Sequence, residues 1–281
     1  MSKKRKTVSL IIFIGLVLLI LVGIFLTEGI PKTEGIQEEM RDAVLHESAH
    51  IDLFGLEVNP ALISAFCVTL ILLTAAALLR IFAVPKFRDK PGKVQLLLEQ
   101  GVDLFAGMAK NDCAHRPKFI SAYIFTAGAY IFFGTLFELL GVQAVTTAGA
   151  SVSLPAPLSD INGAISMGLM TYGVILFGGL FAAGPCGMGR ALKDISLPIS
   201  MSFRLFGALL SGVIVTELVY HYFTLSFVVP VLVGVLFTLL HAIIQAYVLT
   251  MLASHFYGES TERKPKKPKE PKKSKKAASA A

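Results

Sequence analysis

Six stretches of this chain are apolar over the length that a lipid bilayer requires: residues 8–26, 60–84, 119–140, 161–183, 195–223 and 226–257. About 20 mainly apolar residues suffice to cross a hydrocarbon core of about 30 Å. The composition agrees, with 54% of 281 residues hydrophobic and only 16% charged. An ordinary soluble globule is excluded, and an all-α polytopic membrane protein of about six transmembrane helices is predicted. As helices, the last two stretches would measure roughly 43 and 48 Å at ~1.5 Å per residue. They are expected to form a long hairpin, strongly tilted or kinked.

The charges sort along the chain. Lys3, Lys4, Arg5 and Lys6 precede the first apolar stretch, and residues 263–276 after the last are also basic. The segment 86–118 and the loop with Arg190 and Lys193 are basic too, whereas 28–52 and 141–160 are not. Basic flanks are topology signals, so the +7 net charge does not imply nucleic acid. Six spans with both termini on the cytoplasmic side satisfy the pattern.

Four regions are expected. Residues 1–30 form an N-terminal anchor helix, retained because no small-x-small cleavage site follows it. Residues 31–59 form an extracytoplasmic segment, and 60–258 the membrane domain. Within that domain, residues 92–110 carry Val94, Leu97, Leu98, Val102 and Phe105 near helical spacing, with Glu99 and Asp103 between them. That pattern predicts an amphipathic helix at the membrane surface. Residues 259–281 form a Lys/Pro-rich tail too polar to bury a core.

Several chemistries lack support. His46-Glu47-Ser48-Ala49-His50 spells H-E-x-x-H, but it lies in a polar stretch with weak apolar support, and a zinc site needs a buried helix and a third ligand. Cys67, Cys113 and Cys186 are dispersed, without disulfide or metal spacing. No phosphate-binding G-x-x-x-x-G-K-[ST] occurs. No metal, cofactor or catalytic residue is predicted.

Arg204 carries the functional signal. Between residues 195 and 258 the only other side chain ionised at neutral pH is Glu217. A guanidinium keeps its proton wherever it is placed. At mid-bilayer its charge costs at least ~2.5–3.5 kcal/mol, so it marks a functional site by default. If the hairpin turns at residues 223–226, Arg204 and Gln245 each lie 19 residues from the turn and share one depth. Thr238, His241 and Gln245 form one polar stripe; Ser200, Arg204, Gly207, Ala208 and Ser211 form another whose residues, the arginine apart, are small. Small residues admit a closely packed helix in membranes. A carboxylic acid on that helix would have its pKa lowered beside Arg204 and lose its proton. Returning to lipid, it would have to be neutralised again.

At this point the sequence resembles a known family. Pro198-Ile199-Ser200-Met201-Ser202-Phe203-Arg204-Leu205-Phe206-Gly207 and Ile244-Gln245-Ala246-Tyr247-Val248-Leu249 are similar to the signature of subunit a of F-type ATP synthases. Pro91-Gly92-Lys93-Val94-Gln95 with Glu99, Leu136-Phe137-Glu138-Leu139-Leu140 and Ser159-Asp160-Ile161-Asn162 resemble further landmarks. The resemblance covers about residues 46–257 and is strongest in the last two helices. It implies an ion-translocating, non-catalytic stator subunit, with protons as the expected ion. Its implied partners are a c-subunit ring, b-type peripheral stalk subunits, the remaining subunits of both sectors and the bilayer. Arg204 matches the arginine that separates two half-channels and faces the ring carboxylate. Ser200 and Gln245 match polar positions near it, and Glu138 takes the place of an external acidic residue.

The sequence departs from the family pattern at Ala208, Val213 and Thr238, where Asn, Glu or His, and an acidic residue or His are usual. Glu217 and His241 look like replacements one turn away, yet by level they lie about 13 Å apart at ~1.5 Å per residue. Glu217 with His221 is therefore expected to line the external half-channel, and His241 to sit near Arg204. No organelle transit peptide is evident, which points to a bacterial cell (inner) membrane. A self-contained secondary transporter is the alternative, but it predicts internal repeats that the sequence lacks. A membrane-embedded enzyme would need paired catalytic groups on spans.

Overall fold

The computed structural model describes residues 51–53, 56–88, 91–113, 116–145, 151–221 and 229–262, with Gly15 and Val22. All of the expected anchor at 8–26 except Gly15 and Val22 lies outside the described residues, as do His46 and His50, the hairpin turn and the tail from 263. So do the side chains of Glu217 and His221, although their backbone is helical.

Among the described residues seven helices dominate: α1 (Pro60–Leu78), α2 (Lys93–Asp112), α3 (Pro117–Leu139), α4 (Ile161–Ala183), α5 (Pro185–Lys193), α6 (Ser196–His221) and α7 (Val229–Thr261). The end of α1 runs on as a wider turn, Leu79–Ala83, and a tighter one, Val84–Lys86. Among the described residues two small antiparallel hairpins, β1–β2 (Ile51–Leu53, Leu56–Val58) and β3–β4 (Gln143–Val145, Ser151–Ser153), lie in the segments before α1 and between α3 and α4. Among the described residues four helices are long and apolar enough to cross a membrane: Pro60–Lys86, Pro117–Leu139, Ile161–Ala183 and Gly234–Thr261. A fifth span arises if α5 and α6, bent by 48°, are counted together. The protein is thus an all-α, multi-pass membrane protein. The Arg190–Lys193 stretch, expected as loop, is helical, and the break precedes Ser196.

The helix starts follow local chemistry. Asn59 accepts from the Ala61 amide at 2.9 Å with Pro60 in the first turn, and Asp160 accepts from the Asn162 amide at 2.8 Å. Both are good N-caps, and proline suits a first turn whose N–H has no partner. The two caps also bond each other, Asn59 Nδ2 donating to Asp160 Oδ2 at 2.6 Å. The starts of α1 and α4 therefore lie together at one end of the bundle. Gly184 closes α4 at φ +66°, a backbone that favours glycine.

Packing is selective. α3 lies along α7, α4 against α6 and α7, and α6 along α7. One buried cluster joins Ala109 and Cys113 to Ile120, Ile175, Met201 and Tyr257; a second joins Ile131, Met167, Leu205, Leu209, Ala246 and Leu249. α6 approaches α4 closely at Gly168, where a Cβ would press on the Pro198 carbonyl and the Ser202 hydroxyl. By contrast α1 rests mainly on α3 and leaves Phe66, Leu70 and Leu73 exposed. So much bare apolar surface suits lipid, not water.

Candidate functional site

The α6 sequence is apolar almost all round, so packing selects its inner face. Leu197, Met201, Leu205 and Leu209, spaced i, i+4, i+8 and i+12, are buried. The opposite face presents Ser200, Phe203, Arg204, Gly207 and Ser211, all exposed. A Cβ on Gly207 would meet nothing within 4 Å, so the surface beside Arg204 is open. Among the described residues the guanidinium makes no hydrogen bond or ion pair. Ser211 turns its hydroxyl onto the Ala208 carbonyl at 2.7 Å.

On α7, Ala242, Gln245, Ala246 and Leu249 face inward, while Leu240, Ile243, Ile244 and Tyr247 are exposed. Leu205 and Ala246, the residues that follow Arg204 and Gln245, belong to the same buried cluster. α6 and α7 meet at this level, yet no hydrogen bond joins Arg204 to Gln245, which is buried. His241 is half-buried; its Nδ1 lies 2.8 Å from the Phe237 carbonyl oxygen and its ring stacks on Phe237 at 5.6 Å. No hydrogen bond or ring contact links His241 to Arg204. Glu138 sits half-buried at the end of α3, beside a separate cluster of Val68, Phe137 and Leu154.

A cavity of about 700 Å³ between α1, α3 and α4 was not legible in the sequence. Asn59, Asp160, Asn162, Ser166 and Tyr130 are among its polar lining. Its other lining includes Ala127 and Met167, members of the cluster that backs Arg204. Tyr123, also on the wall, shares a 2.8 Å hydrogen bond with Thr171. The bond between Asn59 and Asp160, 101 residues apart, was not anticipated from the sequence.

The basic residues gather elsewhere. The C-terminal ends of α2, α4 and α7 meet α5, where Arg190 donates to the Glu262 carbonyl and Cys113 Sγ lies 3.2 Å from the Ser254 carbonyl oxygen. Lys110, Arg116, Lys118 and Lys193 belong to these elements or their flanks.

A family model described as ATP synthase A chain matches residues 62–258. The "ATP synthase subunit a, chloroplastic" of Bigelowiella natans is 34% identical over 121 residues, which cover 39% of this chain and 48% of that relative. The chain thus spans about half the length of the relative it matches.

Proposed function

The chain belongs to the ATP synthase A chain family, and from that membership we propose that it is the ion-translocating stator subunit of the membrane rotor. The exposed Arg204, beside Ser200, Gly207 and Ser211 and without a partner among the described residues, carries this reading. A carboxylic acid of a neighbouring c-subunit ring, arriving against Ser200, Gly207 and Ser211, meets a fixed positive charge. Its pKa falls and it releases a proton. Past the arginine it must take up a proton before entering lipid. Two aqueous half-channels at different ring positions make that cycle directional, with Arg204 blocking a direct leak between them. The chain supplies the path, and ATP chemistry takes place in other subunits.

The external half-channel is assigned to the Asn59–Asp160 end of the bundle. The cavity there supports it, since Asn59 and Asp160, the caps at that end, are part of its lining. Glu138, Glu217 and His221 are assigned to this path, and Gln245, Ser200 and His241 to the surroundings of Arg204. Residues 1–30 act as an anchor, 31–59 lie outside, 60–258 form the membrane domain with 92–110 at the cytoplasmic surface, and the basic tail expected over 259–281 follows Thr261, where α7 ends. Both termini are cytoplasmic, b-type stalk subunits hold the chain static, and the membrane is a bacterial inner membrane.

Arg204→Ala tests the proposal in inverted vesicles that carry the whole complex. The expected result is passive ion leak with loss of coupled synthesis, and only partial function for Arg204→Lys, whose point charge lacks the planar fork. Undiminished ion-driven synthesis by Arg204→Ala would overturn it.

A further inference from the structure

We infer that Asn59 and Asp160 are positioning residues of the external ion path: their cap-to-cap hydrogen bond latches α1 onto α4 and so holds one wall of the cavity in place. The path is the one assigned above, so the functional half of this inference rests on that reading; the latch itself does not. α1 needs such a hold. Its buried residues are Pro60, Ala61, Ser64 and Val68, all near its start, and no residue from Thr69 to Lys86 is buried. Its hydroxyls offer no further tie, because Ser64, Thr69 and Thr74 each donate to the carbonyl four residues back in the same helix. Among the described residues, the one side-chain hydrogen bond from α1 and its cap to another element is Asn59 Nδ2 to Asp160 Oδ2 at 2.6 Å. The start of α4, by contrast, is fixed independently. A Cβ on Gly163 would press on the Pro157 carbonyl, and Ser159 donates to the Ala156 carbonyl at 2.7 Å, so the preceding turn packs closely on this helix.

On α4 the cavity lining runs from Asp160 to Met170, about 15 Å at ~1.5 Å per residue, or half of a ~30 Å hydrocarbon core. Ala61, Leu62, Ala65 and Thr69 supply the α1 side. If the start of α1 swung away, lipid tails, as apolar as those side chains, would enter from that side and displace water. The chemistry of the pair is asymmetric. Asp160 accepts twice, from the Asn162 amide and from Asn59, whereas Asn59 donates once and accepts once, from the Ala61 amide. The pair therefore needs one carboxylate and one amide. Two ionised carboxylates have no donor between them and repel. With two amides, the NH₂ group at position 160 meets a donor, either the Asn162 amide or Asn59 Nδ2. Exchanging the two residues restores every bond with the cross-link reversed. The amide now at position 160 accepts from the Asn162 amide and donates to the carboxylate at position 59.

The test is the cycle Asn59→Asp, Asp160→Asn and both together, in vesicles carrying the whole complex. Ion-driven synthesis is measured per assembled complex, with Arg204→Ala run beside it. Each single variant should lose synthesis roughly fivefold, and the exchange should return it to within about twofold of wild type, as for a charge-assisted hydrogen bond broken and remade. In the full chain purified in detergent, the melting temperature should follow the same order, falling by roughly 3 °C in each single variant and recovering in the exchange. A carboxylate acting only as a charge at the mouth would spare Asn59→Asp, which keeps Asp160. Wild-type synthesis by Asn59→Asp, beside loss in Arg204→Ala, therefore overturns the positioning role alone. An exchange no better than the worse single variant, in synthesis and in melting, overturns the latch. Normal synthesis by Arg204→Ala brings down the stator reading and the path role with it.

Discussion

Arg204 and Cys113 are opposite cases of a polar side chain in an apolar protein. Arg204 stays charged and is turned outward, so its energy depends on what covers the α6 face. Cys113 is buried beside the Ser254 carbonyl, and burial, with a smaller push from Asp112, raises its thiol from the ordinary 9.0 to about 11. At pH 8 its thiolate fraction is on the order of one in a thousand, and the thiolate is the reactive form. In the folded protein at pH 8, a maleimide should therefore modify exposed Cys186 at least tenfold faster than Cys113, measured by peptide mass mapping. The sign of the linkage follows: a raised pKa means that folding disfavours the thiolate. Stability tied to this thiol is full below pH 9 and falls as pH rises toward 11.

Among the elements, α4 is the part that aligns the others. Its Asp160 cap ties it to α1, and its Gly168 lets α6 approach closely enough to bury Met201 and Leu205. Asp160→Ala removes an N-cap and the bond to Asn59, and should lower stability by about 1 kcal/mol or somewhat more. Thermal unfolding of the purified protein in detergent reads this directly. Gly168→Val should cost more, about 1–3 kcal/mol, because the new side chain meets the Pro198 carbonyl and the Ser202 hydroxyl in a filled interface. Under the proposed function, coupled ion transport should fall with it, since α6 carries Arg204. Gly207→Ala on the same helix faces open space and should leave the melting temperature unchanged.

For the whole molecule, the bare apolar faces of α1, α6 and α7 show how little of this chain's surface is covered by the chain itself. Under the proposed function, mild-detergent purification should retain a ring-forming small subunit and soluble ATPase subunits with this chain, detected by mass spectrometry. A solitary chain of full transport activity would contradict it. The sequence determined the spans among the described residues, because crossing a bilayer demands a run of apolar length that any reader of the sequence can measure. It also determined that Arg204 shares a face with Ser200, Gly207 and Ser211, since helical periodicity is local. Tertiary structure alone decided which way that face turns, that Gln245 is buried while His241 leans on Phe237, and that Asn59 meets Asp160. The physical reason is that lipid and protein interior are equally apolar. Hydropathy reports how deep a residue lies but not which neighbour it touches, and only packing breaks that degeneracy.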